Sequence, residues 1–184
     1  MKKLMFMLAA AVAVVSTQAA SVNWTCTNVK DGSGNPISGV AYFINAATLS
    51  QSDFKALSGA SAFNTALAGM YSYTPATAGK YTIASTAPVE NSTLGLKDET
   101  TYTAYLAIFD TATITDTSKY YLTSLSDAFT TMTGSETVQV KFGNQSTPSQ
   151  AAGAWGSVSP VPEPTSGLLM LIGMAGLALR RRRA

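Results

Sequence analysis

The residues of this chain whose types could do chemistry are a few carboxylates and one thiol. Asp98 and Glu99 are adjacent just before a probable strand, and Asp110 and Asp116 bracket the loop after it. Two carboxylates at a suitable separation can hydrolyse a glycosidic bond, one as acid and the other as base or nucleophile. Nothing in the spacing sets that separation, and we read these residues as solvated loop charges. Asp31-Gly32-Ser33-Gly34-Asn35 offers the oxygens of a calcium loop but lacks the later bidentate glutamate, so it reads as a turn. Histidine is absent, which removes the commonest general base and the commonest metal ligand. Cys26 stands alone, so no intrachain disulfide can form. It alternates with Trp24 in an extended stretch and reads as a small buried apolar residue. No catalytic residue, metal or cofactor is expected, and the chain is not expected to be an enzyme.

The elements around these residues read as mainly β. Trp24 to Val29 and Val40 to Ile44 are expected to be strands joined as a hairpin by the Lys30–Pro36 turn cluster. Ser50 or Ser52 can cap a helix, with Asp53 in its first turn. Phe54, Leu57, Phe63, Leu67 and Met70 then line one apolar side across one or two short helices. Lys80 to Ser85 reads as a strand, and so does Thr101 to Phe109, the longest. In that strand Tyr102, Ala104, Leu106 and Ile108 share one face; Thr103, Tyr105, Ala107 and Phe109 share the other. Apolar character on both faces predicts a central strand. Lys119–Thr123 and Thr137–Phe142 complete a single antiparallel, β-sandwich-like domain with a short helical insertion. Tyrosines at 42, 71, 73, 81, 102, 105, 120 and 121 could stack on sugar rings if exposed in a row, but core packing accounts for most of them.

Charge divides the chain. Between the two ends, six lysines face nine carboxylates, a net charge of −3, whereas the whole chain carries +2. No arginine precedes Arg180. Without a basic patch, nucleic-acid binding is not expected.

Both ends read as targeting segments. Lys2 and Lys3 precede an apolar stretch from Leu4 to Val15. The small residues that follow predict leader cleavage after Ala19 or Ala20. At the other end Val161-Pro162-Glu163-Pro164 leads into an apolar run from Gly167 to Leu179, closed by Arg180, Arg181, Arg182 and Arg183. At about 1.5 Å per residue the run covers roughly 20 Å, against a hydrocarbon core of about 30 Å. Flanking residues, arginine snorkelling and bilayer thinning can cover the difference. The arginines keep that end cytoplasmic and leave the domain outside.

The tripartite tail resembles the PEP-CTERM sorting domain of exopolysaccharide-producing Gram-negative bacteria. That resemblance spans only about residues 160–183 and implies nothing about the domain before it. It implies a substrate of exosortase, a membrane-embedded transpeptidase. The tail would be removed near Val161, Pro162, Glu163 and Pro164, which are recognition residues for another enzyme. The expected organisation is a signal peptide (1–20), a β-rich extracytoplasmic domain (21–142), a flexible linker (143–160) and a sorting and anchor segment (161–184). The expected partners are the export machinery, the exosortase-type transpeptidase and the inner membrane as a transient anchor, with exopolysaccharide a further candidate. The expected function is that of a non-enzymatic cell-surface or extracellular-matrix protein. A carbohydrate-binding module is the first alternative and a carboxylate-dependent glycoside hydrolase the second.

Overall fold

The computed structural model describes residues 19–31, 33–142, 155–159 and 170. The domain is mainly β, with two short helices. In chain order the elements are β1 (Ser21–Trp24), β2 (Ala41–Asn45), α1 (Gln51–Ala56), α2 (Ala60–Ala66), β3 (Ser72–Tyr73) and β4 (Val89–Glu90). There follow β5 (Thr101–Tyr102), β6 (Ala104–Phe109), β7 (Lys119–Leu122), β8 (Phe129–Thr130), β9 (Thr137–Val140) and β10 (Gly156–Ser157). They form a five-stranded sheet ordered β10-β7-β6-β2-β3, a three-stranded sheet ordered β4-β1-β9, and a β5-β8 ribbon.

Strand β6 organises the packing. It runs between β2 and β7, and all six of its residues are buried. Because successive side chains of a strand point to opposite faces, one β6 face serves each of two cores. Ala104, Leu106 and Ile108 join Val22, Trp24, Phe43, Val140 and Phe142, to which both larger sheets contribute. Tyr105, Ala107 and Phe109 join Phe54, Phe63, Leu67 and Tyr120, under the helices. The alternation expected from the sequence is the one observed.

The helices form as their caps and apolar residues dictate. The Ser50 side chain accepts the Asp53 N–H at 3.1 Å, satisfying an otherwise free donor of the first turn. Gly59, at φ 82°, separates α1 from α2. Phe54 and Phe63 meet edge to face at 5.2 Å and seal the second core.

Several expectations are corrected. The domain is not purely antiparallel: β1 lies parallel to β9, with Val22 opposite Val138 and Trp24 opposite Val140. The Trp24–Val29 and Val40–Ile44 segments do not make a hairpin. The first strand occupies Ser21–Trp24. Beyond it Asn28 takes φ 60° and Val29 donates to Gly79 O, which steers the chain away from β2. The expected strand at 80–85 is reduced to a bridge between Trp24 and Ile83. Thr101–Phe109 is broken at Thr103, where the chain passes from the small ribbon into the large sheet. Part of the expected linker is not linker, because residues 155–159 pack onto the domain. Among the described residues no helix is long and apolar enough to cross a membrane. The expected C-terminal membrane helix apart from Met170, Val161 to Pro164, Arg180 to Arg183 and the expected signal segment before Ala19 lie outside the described residues.

Candidate functional site

Three of the candidate carboxylates, those of Asp31, Asp110 and Asp116, hold backbone N–H groups. Asp31 Oδ1 accepts the Ser33 and Asn35 N–H groups at 2.8 Å. Those bonds, led by the one from the Asn35 backbone, hold its carboxyl below the usual aspartate value. Asp98 Oδ1 accepts from Asn91 Nδ2 at 2.8 Å. Glu99 sits in the left-handed region at φ 52°, and its N–H donates to Thr131 O. Asp110 Oδ1 accepts the Lys119 N–H at 2.9 Å, and Asp116 Oδ1 accepts the Ala60 N–H at the start of α2 at 2.7 Å. Asp110 and Asp116 are therefore engaged on different elements. Among the described residues no three acidic, cysteine or histidine side chains gather as a metal site would need.

Cys26 is buried in the first core, as its alternation with Trp24 predicts. Burial pushes its thiol up to about 12, so the thiolate is scarce at neutral pH. Tyr81 and Tyr105 are likewise raised by desolvation, and both hydroxyls donate to backbone carbonyls, Gly39 O and Leu49 O. No tyrosine or tryptophan among the described residues is fully exposed. Two asparagines in glycosylation-like triplets, Asn23 and Asn91, are buried and so are closed to modification in the folded domain.

The part of the domain nearest the sorting motif is its last described segment. Trp155 packs on Tyr121 with ring centroids 6.0 Å apart, and its Nε1 donates to Lys30 O at 3.1 Å. Gly156 and Ser157 pair with Tyr120 and Lys119 as the outer strand of the large sheet. Val158 is fully buried; its N–H donates to Ser118 O and its carbonyl accepts from Gly59 N. Ser159 Oγ donates to Asp116 Oδ1 at 3.3 Å. Trp155 faces one core and Val158 the other, the alternation of a strand. An open cavity of about 490 Å³ lies beside this segment, with Lys55, Gln51, Tyr120 and Trp155 in its wall.

The sequence alone leaves Trp155 open between packing back on the domain and sitting at a membrane interface, and the structure packs it back. The available signal was the spacing of Trp155 and Val158, two apolar residues of opposite parity in a stretch that is otherwise small and polar. Pro162 follows Ser159 by three residues, so at most about 3.6 Å per residue separates the motif from the folded surface.

Residues 160–183 match the PEP-CTERM protein-sorting motif. The match identifies the tail as a signal for exosortase processing, which implies export and anchoring of the tail in the membrane before processing. Neither a curated protein nor a solved structure matches the chain.

Proposed function

We propose that this is a non-enzymatic protein of the cell surface or extracellular matrix, exported through an N-terminal signal peptide and delivered by its C-terminal tail. The observation that carries the reading is the match of residues 160–183 to the sorting motif. In this reading Gly167 to Leu179 is a transient membrane anchor. Exosortase acts near Val161, Pro162, Glu163 and Pro164, and Arg180 to Arg183 hold the far end in the cytoplasm. The two larger sheets are the layers of a β-sandwich, and exopolysaccharide is the candidate surrounding matrix.

The rest of the domain supports a structural role. Asp31, Asp110 and Asp116 each hold backbone of a loop, a strand or a helix start, and the thiol of Cys26 is buried. The carbohydrate-binding alternative draws less support, because the aromatic rings are spent on packing and Trp155 is bonded to the Lys30 carbonyl.

The test is the intact mass and C-terminal peptide of the surface or released protein, made with and without the host's exosortase. We expect a C-terminus between Pro162 and Thr165 that depends on that enzyme. Retention of Arg180 to Arg183 in both strains would sink the sorting part of the proposal.

A further inference from the structure

The place where the leader should end is built into the domain. Ala20 is 5% exposed, and its carbonyl accepts the backbone N–H of the buried Asn91 at 2.9 Å. The next N–H, that of Ser21, donates to Glu136 O at 3.0 Å, and the Ser21 hydroxyl bonds Thr137 Oγ1 at 2.8 Å. Ala19, by contrast, is exposed. The boundary between folded and solvent-facing chain therefore falls between Ala19 and Ala20.

Each neighbouring cut conflicts with the fold or with the cleavage pattern. A cut after Ala20 would remove a buried residue and leave the Asn91 N–H without its acceptor, and an unmet buried donor is destabilising. A cut before Ala19 would place Gln18 at the cleavage residue, where the pattern asks for a small side chain. Cleavage after Ala19 puts Ala19 and Thr17 at the two small positions, whereas cleavage after Ala20 would put Gln18 at the outer one.

A second observation points to the new terminus itself. Ala19, Ala20, Asn91, Lys97 and Asp98 share the wall of one open cavity of about 530 Å³. Asn91 is 3% exposed. Its Nδ2 donates to Asp98 Oδ1 at 2.8 Å and to Met132 O at 3.4 Å, which fixes how the amide is turned. That leaves Asn91 Oδ1 buried with no donor among the described residues. A buried acceptor beside a carboxylate suits a cation that carries N–H groups.

We infer that the leader is hydrolysed between Ala19 and Ala20, and that the resulting α-ammonium of Ala20 is received by Asn91 Oδ1 and the Asp98 carboxylate. The Ala19–Ala20 peptide bond breaks with addition of one water. The leader leaves with the Ala19 carboxylate, and the amine released on Ala20 takes up a proton. The inference rests on the proposed export through a signal peptide.

The experiment is the N-terminal peptide mass of the full chain, expressed with export in a Gram-negative host. A start at Ala20 is expected. A start at Ser21 or another nearby residue would overturn the inference and leave export standing; an uncut chain beginning at Met1 would overturn both. For the ammonium, the exported protein and its Asp98→Asn form are treated at neutral pH with an amine-selective acylating reagent and read at the N-terminal peptide. Removing the carboxylate lowers the preference for the charged amine, so acylation should be severalfold faster in Asp98→Asn. Equal rates would overturn the ammonium site even with Ala20 first in the chain. The Asn side chain keeps an acceptor for Asn91 Nδ2, so the fold is retained for the comparison.

Discussion

Strand β1 enters the three-stranded sheet at its centre, with β4 on one side and β9 on the other, whereas β10 is laid along the outside of the five-stranded sheet. Every β1 residue is buried, while β10 comprises one half-buried and one exposed residue. The two ends of the domain therefore differ in what they depend on. Ser21 and Thr137, bonded through their hydroxyls, are 116 positions apart, so β1 cannot be completed until nearly the whole domain has been made. Closing so long a loop is entropically slow. Strand β10 needs only a finished β7 edge. The central strand should behave as part of the global fold and the edge strand as a local attachment.

The strongest way to break that comparison is at Trp24. Its ring is 1% exposed and meets Phe43 at 5.1 Å, Tyr71 at 6.1 Å and Phe142 at 6.5 Å, so it joins β1 to both larger sheets. Trp24→Ala should cost about 3–5 kcal/mol, a large share of a domain stability of about 5–15 kcal/mol. The denaturation midpoint should fall steeply, and every probe should report the same transition. Trp24→Phe should cost much less, because it also removes an indole N–H that is buried without a partner among the described residues. If Trp24→Ala loosened only the N-terminus, with the midpoint unchanged, the assignment of β1 to the global unit would be wrong.

Gly156 probes the other end. A Cβ there would lie inside contact distance of Tyr120 Cζ, and Tyr120 is wedged among Phe54, Phe63 and Phe109. Gly156→Ala should cost about 1–3 kcal/mol as overpacking. Detachment of β10 relieves it, so the loss is capped at the worth of the attachment. Indole emission should shift to the red as Trp155 leaves Tyr121, while hydrogen exchange in β6 stays protected. Loss of β6 protection would show that the edge strand is not separable.

Asp116→Ala should act more weakly at the same end. It removes the acceptor for the Ala60 N–H at the start of α2 and for Ser159 Oγ. A lost cap costs about 1 kcal/mol. The unfolding free energy should drop by that amount, with faster exchange confined to α2 and β10. An effect reaching β1 would erase the distinction between the two ends.

The parts of this architecture that were legible in the sequence are those set by local chemistry. The two-faced character of β6, the Ser50 cap and the burial of Cys26 beside Trp24 follow from side-chain period and type. The turn at Asp31 was legible as a turn, and it forms: Lys30 bridges Pro36. What it does not form is a hairpin of long strands, because the partners of Trp24 are Ile83 and Val140, which no local pattern announces. The parallel β1–β9 pair and the two-residue β10 were illegible for the same reason, being fixed by packing between distant segments. At the candidate sites the tail could be read because a processing enzyme reads linear sequence. The carboxylates could not, since their types do not reveal whether backbone N–H groups already occupy them.

The smallest expected effect lies in the turn that supports the edge strand. Asp31 is half-buried, and its carboxyl is held below the ordinary value of 3.8 chiefly by hydrogen bonds from the Asn35 backbone and, more weakly, from other turn groups. A folded pKa below the unfolded one means that the carboxylate stabilises the fold above the ordinary aspartate range. That contribution is lost as pH falls through the lowered value. Lys30, the neighbouring residue, offers its carbonyl to Trp155 Nε1 at 3.1 Å, so the turn carries the ring that closes the C-terminal end. Asp31→Asn should therefore be slightly less stable than the parent at neutral pH and equal to it once the parent's carboxylate is protonated. Acid titration of both proteins, followed by Trp155 emission, should show the two converging below pH 3.8. Because Trp24 shares the indole signal, the measurement belongs in a Trp24→Phe background. A difference that persists unchanged into strong acid would mean that the side-chain amide perturbs the turn by shape, and that charge at Asp31 plays no part in holding the edge.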